Sequence, residues 1–541
     1  MGRKNRKSSN VEVGLPRNVR RETLEIVSIL LDRCSSPFGS HGQSEWTEFL
    51  EVYNLVEKLR KKQQNYVIAK SGREKNFDGF MGWLKSNSVD AEAVEIQHFD
   101  VGGYGIKATR DFKEGELFLA IPRSVMMTTD TAKNSALGAL IADNRILQTM
   151  PNILLALHVL CELCSPASFW LPYLKILPHS YSSPLYFNPE DLQLLKASPT
   201  LSEMINQFRN ITRQYAYFFN LFQGHELASK LPIQVKNICY DDYRWAVSSV
   251  MTRQNQIPTL DGQRMISALI PLWDMCNHTN GQITTDFSLK NDRSECFSLE
   301  GTVAGAQVFI FYGSRSNAEL LIHNGFVYPQ NHSDRLTIRL GISKNDPLFS
   351  MKSEVLSRLS MQASRLFSLH CGVNPVDSDT LAFLRVVVMT EDDLRTALAC
   401  RQQISKLRDF DDFVSEDNER KAWAFLATRV LLLLKAYPTS AQEDATLLQG
   451  NDLSTHARLA VQLRHCEKNI LMSTHEYANR MMDSAEERVK AQPATIEDDL
   501  DHLESQLNEE TPALPTTTTE GKAMISDDLE AEMRDIKLAE L

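Results

Sequence analysis

The sequence predicts an α+β protein in which a unit of short β-sheets is split by a helical insertion and followed by an all-α domain. Three patterns predict it. Short alternating runs broken by glycine turns fill residues 91 to 122 and return from 283 to 312, as in "AQVFIFYG". Between them, from about 130 to 254, apolar residues recur at spacings of three and four. From about 345 to 490 the helical spacing returns, as in "KAWAFLATRVLLLLKAY" and "LSTHARLAVQLRHCEKNIL".

Each element follows in order. A basic start, with Arg3, Lys4, Arg6 and Lys7 and then Arg17, Arg20 and Arg21, leads into helical patterns from 22 to 66, "ETLEIVSILLDRC" and "EWTEFLEVYNLVEKLRKK". The stretch "AEAVEIQHFDVGGYGIKATRDFKEGELFLAIP" reads as small strands joined by turns at Gly-Gly and Lys-Glu-Gly. The insertion ends in "DDYRWAVSSVMTRQ", where Asp241 can cap a helix whose face is Tyr243, Val247, Val250 and Met251. After the second group of strands, "SRSNAELLIHNGF" holds a capping box from Ser316 to Glu319 and a stop at Gly325, a helix of about two turns. The expected division is therefore 1–72, a basic segment with helices; 92–313, the β unit with its insertion; 330–490, the all-α domain; and 491–541, an acidic tail too poor in apolar residues to fold.

With 541 residues, 43% of them hydrophobic, the chain can bury a large core and form more than one domain. Its longest apolar region, "PNILLALHVLCELC", is interrupted by Asn152, His158 and Glu162, so no membrane span is expected. The tail holds 14 acidic and 3 basic side chains, which accounts for the whole formal charge of -11. The rest is balanced, which removes any strong case for nucleic acid as a partner. Nine cysteines with one CxxC, Cys161 to Cys164 in a helical apolar run, read as reduced core thiols. No apolar signal core follows Met1, so a cytoplasmic monomer is expected, and the basic start admits a nuclear fraction.

The chemistry concentrates in "LWDMCNHTNG", residues 272 to 281. Cys276 and His278 supply only two zinc ligands, with no second pair close in sequence, so no metal is assigned. A Cys/His nucleophile pair needs its two side chains opposed across a cleft, which near-neighbours in one extended segment seldom achieve. The third reading is the wall of a pocket.

"WDMCNH", followed about 35 residues later by "FYG" and preceded by "GGYG", resembles the SET domain of protein methyltransferases. With the split β unit and the helical C-terminal domain, it resembles the Rubisco-methyltransferase-like branch, over roughly residues 73 to 490. The resemblance implies S-adenosylmethionine as cofactor and a substrate-binding role for the C-terminal domain. It implies cofactor contacts by Arg73, Gly102, Gly103, Tyr104, Arg253, Asp274, Met275, Cys276, Asn277, His278, Asn324, Gly325 and Phe326, and it puts the catalytic Tyr312 where cofactor and substrate meet. Physically, glycines let backbone approach a ligand and an arginine can pair a carboxylate. Methyl transfer mainly needs a lone pair aligned with the carbon–sulfur bond and water excluded.

Lysine, with a pKa of about 10.4, pays about 4.6 kcal/mol to be neutral at pH 7, and the pockets of lysine-directed relatives are typically aromatic. In the Rubisco-type branch, the arginine ending the long helix is commonly followed by a small and then an aromatic residue; here "TRQNQIP" puts Gln254 and Asn255 there. Two amides suit an imidazole, whose neutral form, with a pKa of about 6.5, already offers a lone pair. The Asn255 carbonyl can accept the ring N–H, with Trp273 and Tyr312 flanking the ring. Within the branch the chain is similar to members directed at actin, which implies actin as protein substrate, methylation of a histidine at the nitrogen remote from the β-carbon, a groove between the SET and C-terminal domains, and substrate contact by Arg315. The alternative is a lysine of a histone or another protein.

Overall fold

A computed structural model describes residues 15–37, 44–68, 72–231 and 238–491. Arg3, Lys4, Arg6 and Lys7, and the tail beyond Ala491, lie outside the described residues. Two helices open the described chain, Arg17–Ser35 and Glu45–Gln63. Each buries a stripe at helical spacing, Val27, Leu30 and Cys34 on one and Phe49, Val52, Val56 and Leu59 on the other. Ser44 caps the second by accepting from the Thr47 N–H at 3.3 Å.

The β unit consists of three small sheets. Strands β1 (Val94–Phe99) and β2 (Gly103–Ala108) form the hairpin foreseen at Gly-Gly, with Gln97 opposite Gly105. Strands β3 (Leu117–Pro122), β4 (Met127–Thr128), β5 (Asn255–Pro258), β6 (Met265–Leu269), β7 (Asn277–His278), β8 (Thr285–Ser288), β9 (Arg293–Phe297) and β10 (Gln307–Ile310) complete it, in the orders β1-β2-β10-β7, β3-β9-β8 and β4-β6-β5. The insertion therefore separates β4 from β5, whose sheet closes across it through β6. The hairpin β5–β6 was not foreseen, because "NQIP" is too short to show alternation and its turn is marked only by Gly262 at φ 69°.

The insertion is helical, as expected. Helix Thr200–Gly224 buries Met204, Phe208, Ile211, Tyr215, Phe218 and Phe222, a regular three-and-four series. Helix Tyr240–Arg253 departs from the sequence reading in two ways. It is buried nearly all round, and Asp241 does not cap it: the cap position is Cys239, while the Asp241 carboxylate accepts from Arg60 Nε at 2.8 Å and Arg244 Nη2 at 2.5 Å. Ion pairing with two arginines has outcompeted capping.

The C-terminal region is helical but not wholly so. Strands β11 (Arg335–Gly341) and β12 (Ser364–His370) pair antiparallel, with Ile338 opposite Phe367, and correct the all-α expectation. Leu336, Ile338, Leu340, Phe367 and Leu369 point from them into a second core, beneath helices Ser378–Val388 and Glu416–Ala436. The last helix, Thr455–Ala491, places Ala460, Leu463 and Cys466 in the first core and Ile470, Leu471 and Ala478 in the second. Beside that junction Glu467 accepts from Ser198 Oγ (2.7 Å), Thr200 Oγ1 (2.8 Å) and Tyr437 (2.9 Å), so its burial is compensated. No helix among the described residues is long and apolar enough to cross a membrane.

Candidate active site

The motif at 272 to 281 begins with a strained residue: Leu272, fully buried, has φ 69°, a left-handed conformation that a side chain of its size rarely adopts. It turns the chain out of the β6 layer into the 3-10 turn Trp273–Met275, and the chain then extends as β7. β7 runs parallel to β10, with Asn277 opposite Phe309 and His278 opposite Ile310. Residues some 30 positions apart are thereby brought side by side. His278 Nδ1 accepts from the Tyr312 N–H at 3.2 Å, and the Tyr312 hydroxyl donates to the Cys276 carbonyl at 2.7 Å.

These contacts answer what the Cys-Asn-His cluster is. Burial pushes the Cys276 thiol well above its ordinary pKa, so it is no thiolate nucleophile. Burial, helped by the Arg315 charge, pulls His278 down to about 4, which keeps it neutral, with Nδ1 engaged as an acceptor. Its ring packs among Phe311, Tyr312, Phe326 and Tyr328. Asn277 points the other way, at the glycine turn: a Cβ on Gly102, itself at φ 89°, would lie 2.9 Å from Asn277 Nδ2. Asn277 Nδ2 is buried and has no hydrogen-bond partner.

Above the turn, Arg73 stacks over Tyr104 at 4.9 Å, donates to the Ile176 carbonyl at 2.9 Å and reaches Met275 Sδ at 3.5 Å. Arg73, which lies outside the obvious motifs, therefore does join the constellation. Arg253, at the end of its helix, donates to the Asp274 carbonyl at 2.6 Å and lies 3.7 Å from Asp274 Oδ1. Burial is the largest influence and works against its charge, but Asp274 with Tyr181, Tyr173 and Tyr312 together outweigh it and hold Arg253 protonated. Burial and then the nearby Arg253 pull Arg73 down to about 10. Two arginines thus share one carboxylate, a surplus of positive charge suited to an anionic group.

A cavity of about 440 Å³ opens beside this pair, walled by Gln254, Asn255, Trp273, Tyr312, Arg315 and Asn324 among others. Trp273 is fixed by its indole N–H on Thr285 Oγ1 at 2.9 Å. Burial raises the Tyr312 phenol well above its ordinary pKa despite Arg253, so it stays neutral. Asn255 Oδ1 already accepts from the Gln256 N–H at 2.8 Å, leaving one lone pair for a substrate. Gln254 ends the helix through its backbone N–H on the Val250 carbonyl at 2.8 Å, and its side-chain Oε1 is buried without a partner. Arg315 donates to Asn324 Oδ1 at 2.7 Å, and Asn324 Nδ2 to the Thr252 carbonyl at 3.4 Å; both are held as a brace across the cavity. Gly325, at φ 83°, ends the π-helical turn Leu320–Asn324, and a Cβ there would press 2.9 Å from the Ser183 amide.

Gln254, Met251 and Arg315 also line a second cavity of about 290 Å³, with Asn152, Gln207, Gln214 and His323. It lies among the insertion helices and the segment from Arg315 to His323. Sequence reading missed this second wall, and it missed Tyr173, whose hydroxyl donates to Asp274 Oδ2 at 2.5 Å. Neither carries a local signal: the wall is gathered from segments far apart in sequence, and Tyr173 is a single hydroxyl in the apolar turn Leu171–Leu174.

Comparison with known proteins agrees with the fold. A SET domain model matches residues 103–313, and a Rubisco LSMT substrate-binding model matches residues 343–471. The structure of the SET domain of LSMT bound to lysine and AdoHcy superposes with a TM-score of 0.62 at 23% identity, over 80% of this chain and 99% of that one. The structure of Rubisco LSMT bound to AdoMet gives 0.59 at 24% identity, over 80% and 99%. They share the fold. In sequence, the chain is 50% identical to the actin-histidine N-methyltransferase of Danio rerio, over 83% of this chain and 76% of that protein. It is 47% identical to that of Gallus gallus, over 86% and 80%, and 45% identical to that of Homo sapiens, over 98% and 90%. With identity of this order along almost its whole length, and a SET domain matched over residues 103–313, the chain belongs to the actin-histidine N-methyltransferase family.

Proposed function

We propose that this chain is an S-adenosylmethionine-dependent protein-histidine methyltransferase that methylates a histidine of actin at the nitrogen remote from the β-carbon. The observation that carries the reading is the 440 Å³ cavity in which Trp273 and Tyr312 stand beside the amides of Gln254 and Asn255. The residues fit the cofactor: Arg253 Nε and Asn277 Nδ2 are buried without hydrogen-bond partners, beside an arginine pair carrying surplus positive charge. When bound, S-adenosylmethionine supplies an electrophilic methyl carbon on a sulfonium.

The chain's own groups then have defined tasks. Arg73 and Arg253 would hold the carboxylate end, and the glycine turn at Gly102 and Gly103 would admit the ligand close to backbone. Tyr312 gives its only hydroxyl proton to Cys276, so its lone pairs are what it offers the cavity. An oxygen presented that way would favour and orient a methyl group carrying partial positive charge. Asn255, through the remaining lone pair on Oδ1, holds the N–H of the substrate ring and turns the other nitrogen's lone pair inward. Trp273 limits the ring's rotation. The nine cysteines are all unpaired, which supports action in a reducing compartment such as the cytoplasm.

The test is to incubate the purified protein with S-adenosylmethionine labelled in the methyl group and an extract depleted of its own methylation, then hydrolyse the proteins. Label in tele-methylhistidine from an actin-sized band is expected. Label in methyllysine instead would overturn the imidazole assignment.

A further inference from the structure

The ion pair at the base of the site has a third member on a separate element. Tyr173 sits on the short helix Leu171–Leu174, which is pinned by the Trp170 indole N–H on the Val125 carbonyl at 3.0 Å. Its ring packs against Phe80 and is fully buried. Its hydroxyl has one partner, Asp274 Oδ2, at 2.5 Å. The Asp274 side chain is fully buried too, and its other oxygen faces Arg253 across 3.7 Å without a hydrogen bond. We propose that Tyr173 is a positioning residue for cofactor binding, whose hydroxyl keeps Asp274 an anion so that Arg253 stays paired and aimed into the site.

The inference rests on the cofactor reading above and follows from the groups facing Asp274. These are Arg253 from the central helix, Arg73 from the segment before Phe77, Tyr173 from the short helix, and Cys276 and Tyr312 from the crossing strands; Tyr181 lies close to Arg253. Burial raises the Asp274 carboxyl, and Arg253, the Tyr173 hydroxyl and Arg73 oppose that rise. The Tyr173 hydrogen bond is the strongest neutral donation it receives, and a phenol on a carboxylate at this distance is a charge-assisted bond. Losing it moves Asp274 further toward the neutral acid. S-adenosylmethionine carries an ammonium and a sulfonium as well as a carboxylate. With Asp274 ionised, Arg73, Arg253 and Asp274 together present one net positive charge; with Asp274 neutral they present two, and Arg253 keeps its hydrogen bond to the Asp274 carbonyl but loses the counter-charge beside it. A structural phenol would be served equally by a backbone carbonyl, as Tyr215 is by Ile238 at 3.2 Å.

The test is calorimetric titration of the whole chain with S-adenosylmethionine and with S-adenosylhomocysteine from pH 5.5 to 8.5. Tyr173→Phe keeps the ring and removes the donor. It is expected to move the acid limb of S-adenosylmethionine binding up by about one pH unit, a loss of up to about tenfold on that limb, with a smaller effect on uncharged-sulfur S-adenosylhomocysteine. Tyr215→Phe, equally buried, is expected to move neither. If Tyr173→Phe does not fold, 3-fluorotyrosine at position 173, a stronger donor on nearly the same ring, is expected to move the acid limb down. An unchanged Kd and acid limb in Tyr173→Phe, or an unmoved limb with the fluorinated ring, overturns the inference. Wild-type protein that binds neither ligand overturns the cofactor reading itself, and the inference with it.

Discussion

Tyr312 donates its hydroxyl proton to the Cys276 carbonyl at 2.7 Å, across a parallel strand pair that joins two segments distant in sequence. The bond decides what the phenol can do. It is neither a general base nor a proton donor to the substrate, because burial keeps it protonated and its proton is committed. What remains is an oriented oxygen.

Tyr312→Phe should therefore lower kcat by about 10²-fold, the scale of losing one oriented polar group in a dry site. The Kd for S-adenosylhomocysteine should stay close to wild type. Single-turnover methylation beside calorimetry checks both, and an equal loss in Kd and kcat would show that the phenol instead builds the binding pocket.

Asn255→Phe replaces the amide beside Trp273 with the aromatic wall typical of lysine-directed relatives. Histidine methylation should fall by roughly tenfold or more, because the ring N–H loses its acceptor. Lysine placed at the target position of a peptide should become a better substrate than for the wild type. Mass spectrometry of paired histidine and lysine peptides reads the ratio, and a ratio that does not move counts against the role given to Asn255.

Gly102→Ala should damage the cofactor side alone. Its φ of 89° disfavours any side chain, and the new Cβ would meet Asn277 Nδ2 at 2.9 Å. Strain of this kind costs on the order of 1–3 kcal/mol, so a tenfold or greater rise in the Kd for S-adenosylhomocysteine is expected. Relief of the clash would turn the Asn277 amide away from the glycine turn, so a variant that binds normally would place the ligand elsewhere.

Glu467 makes stability depend on pH. Burial raises its carboxyl to about 7, above the unfolded value of about 4.5. A raised folded pKa contributes stability that is fully present below about 4.5 and is lost as pH rises through about 7. Glu467→Gln cannot titrate, yet its amide oxygen can still accept from the surrounding hydroxyls. Its stability relative to wild type should improve by about 2 kcal/mol between pH 5 and pH 8. Urea unfolding at the two pH values measures this, and a constant difference would mean that Glu467 is charged throughout.

The sequence made some of this legible and hid the rest for physical reasons. The box from Ser316 to Glu319 and the stop at Gly325 are local, so residue types alone place them, and both are present. The helix–strand alternation of the split β unit is equally local. The parallel pairing of β7 with β10 is not: neither strand exceeds four residues, and only the recurring "NH" and "FYG" motifs betray it. Asp241 shows how a correct local preference loses to tertiary charge, since Arg60 reaches it from a helix about 180 residues earlier. The strand "SRLFSLH" does alternate, but it is brief and sits among helical patterns that swamp it. Gln254 and Asn255 were legible as amides at a boundary; that one oxygen would be left unpartnered required the fold.

The helix Thr455–Ala491 lends side chains to both hydrophobic cores, over a length of about 55 Å. A continuous helix cannot melt at its middle without losing hydrogen bonds on both sides of the break. The two halves of the molecule therefore share one element as structural members share a beam, and neither can shed it alone. Heating should give a single cooperative transition, and removal of the chain beyond residue 454 should open the methyltransferase half as well as the helical one.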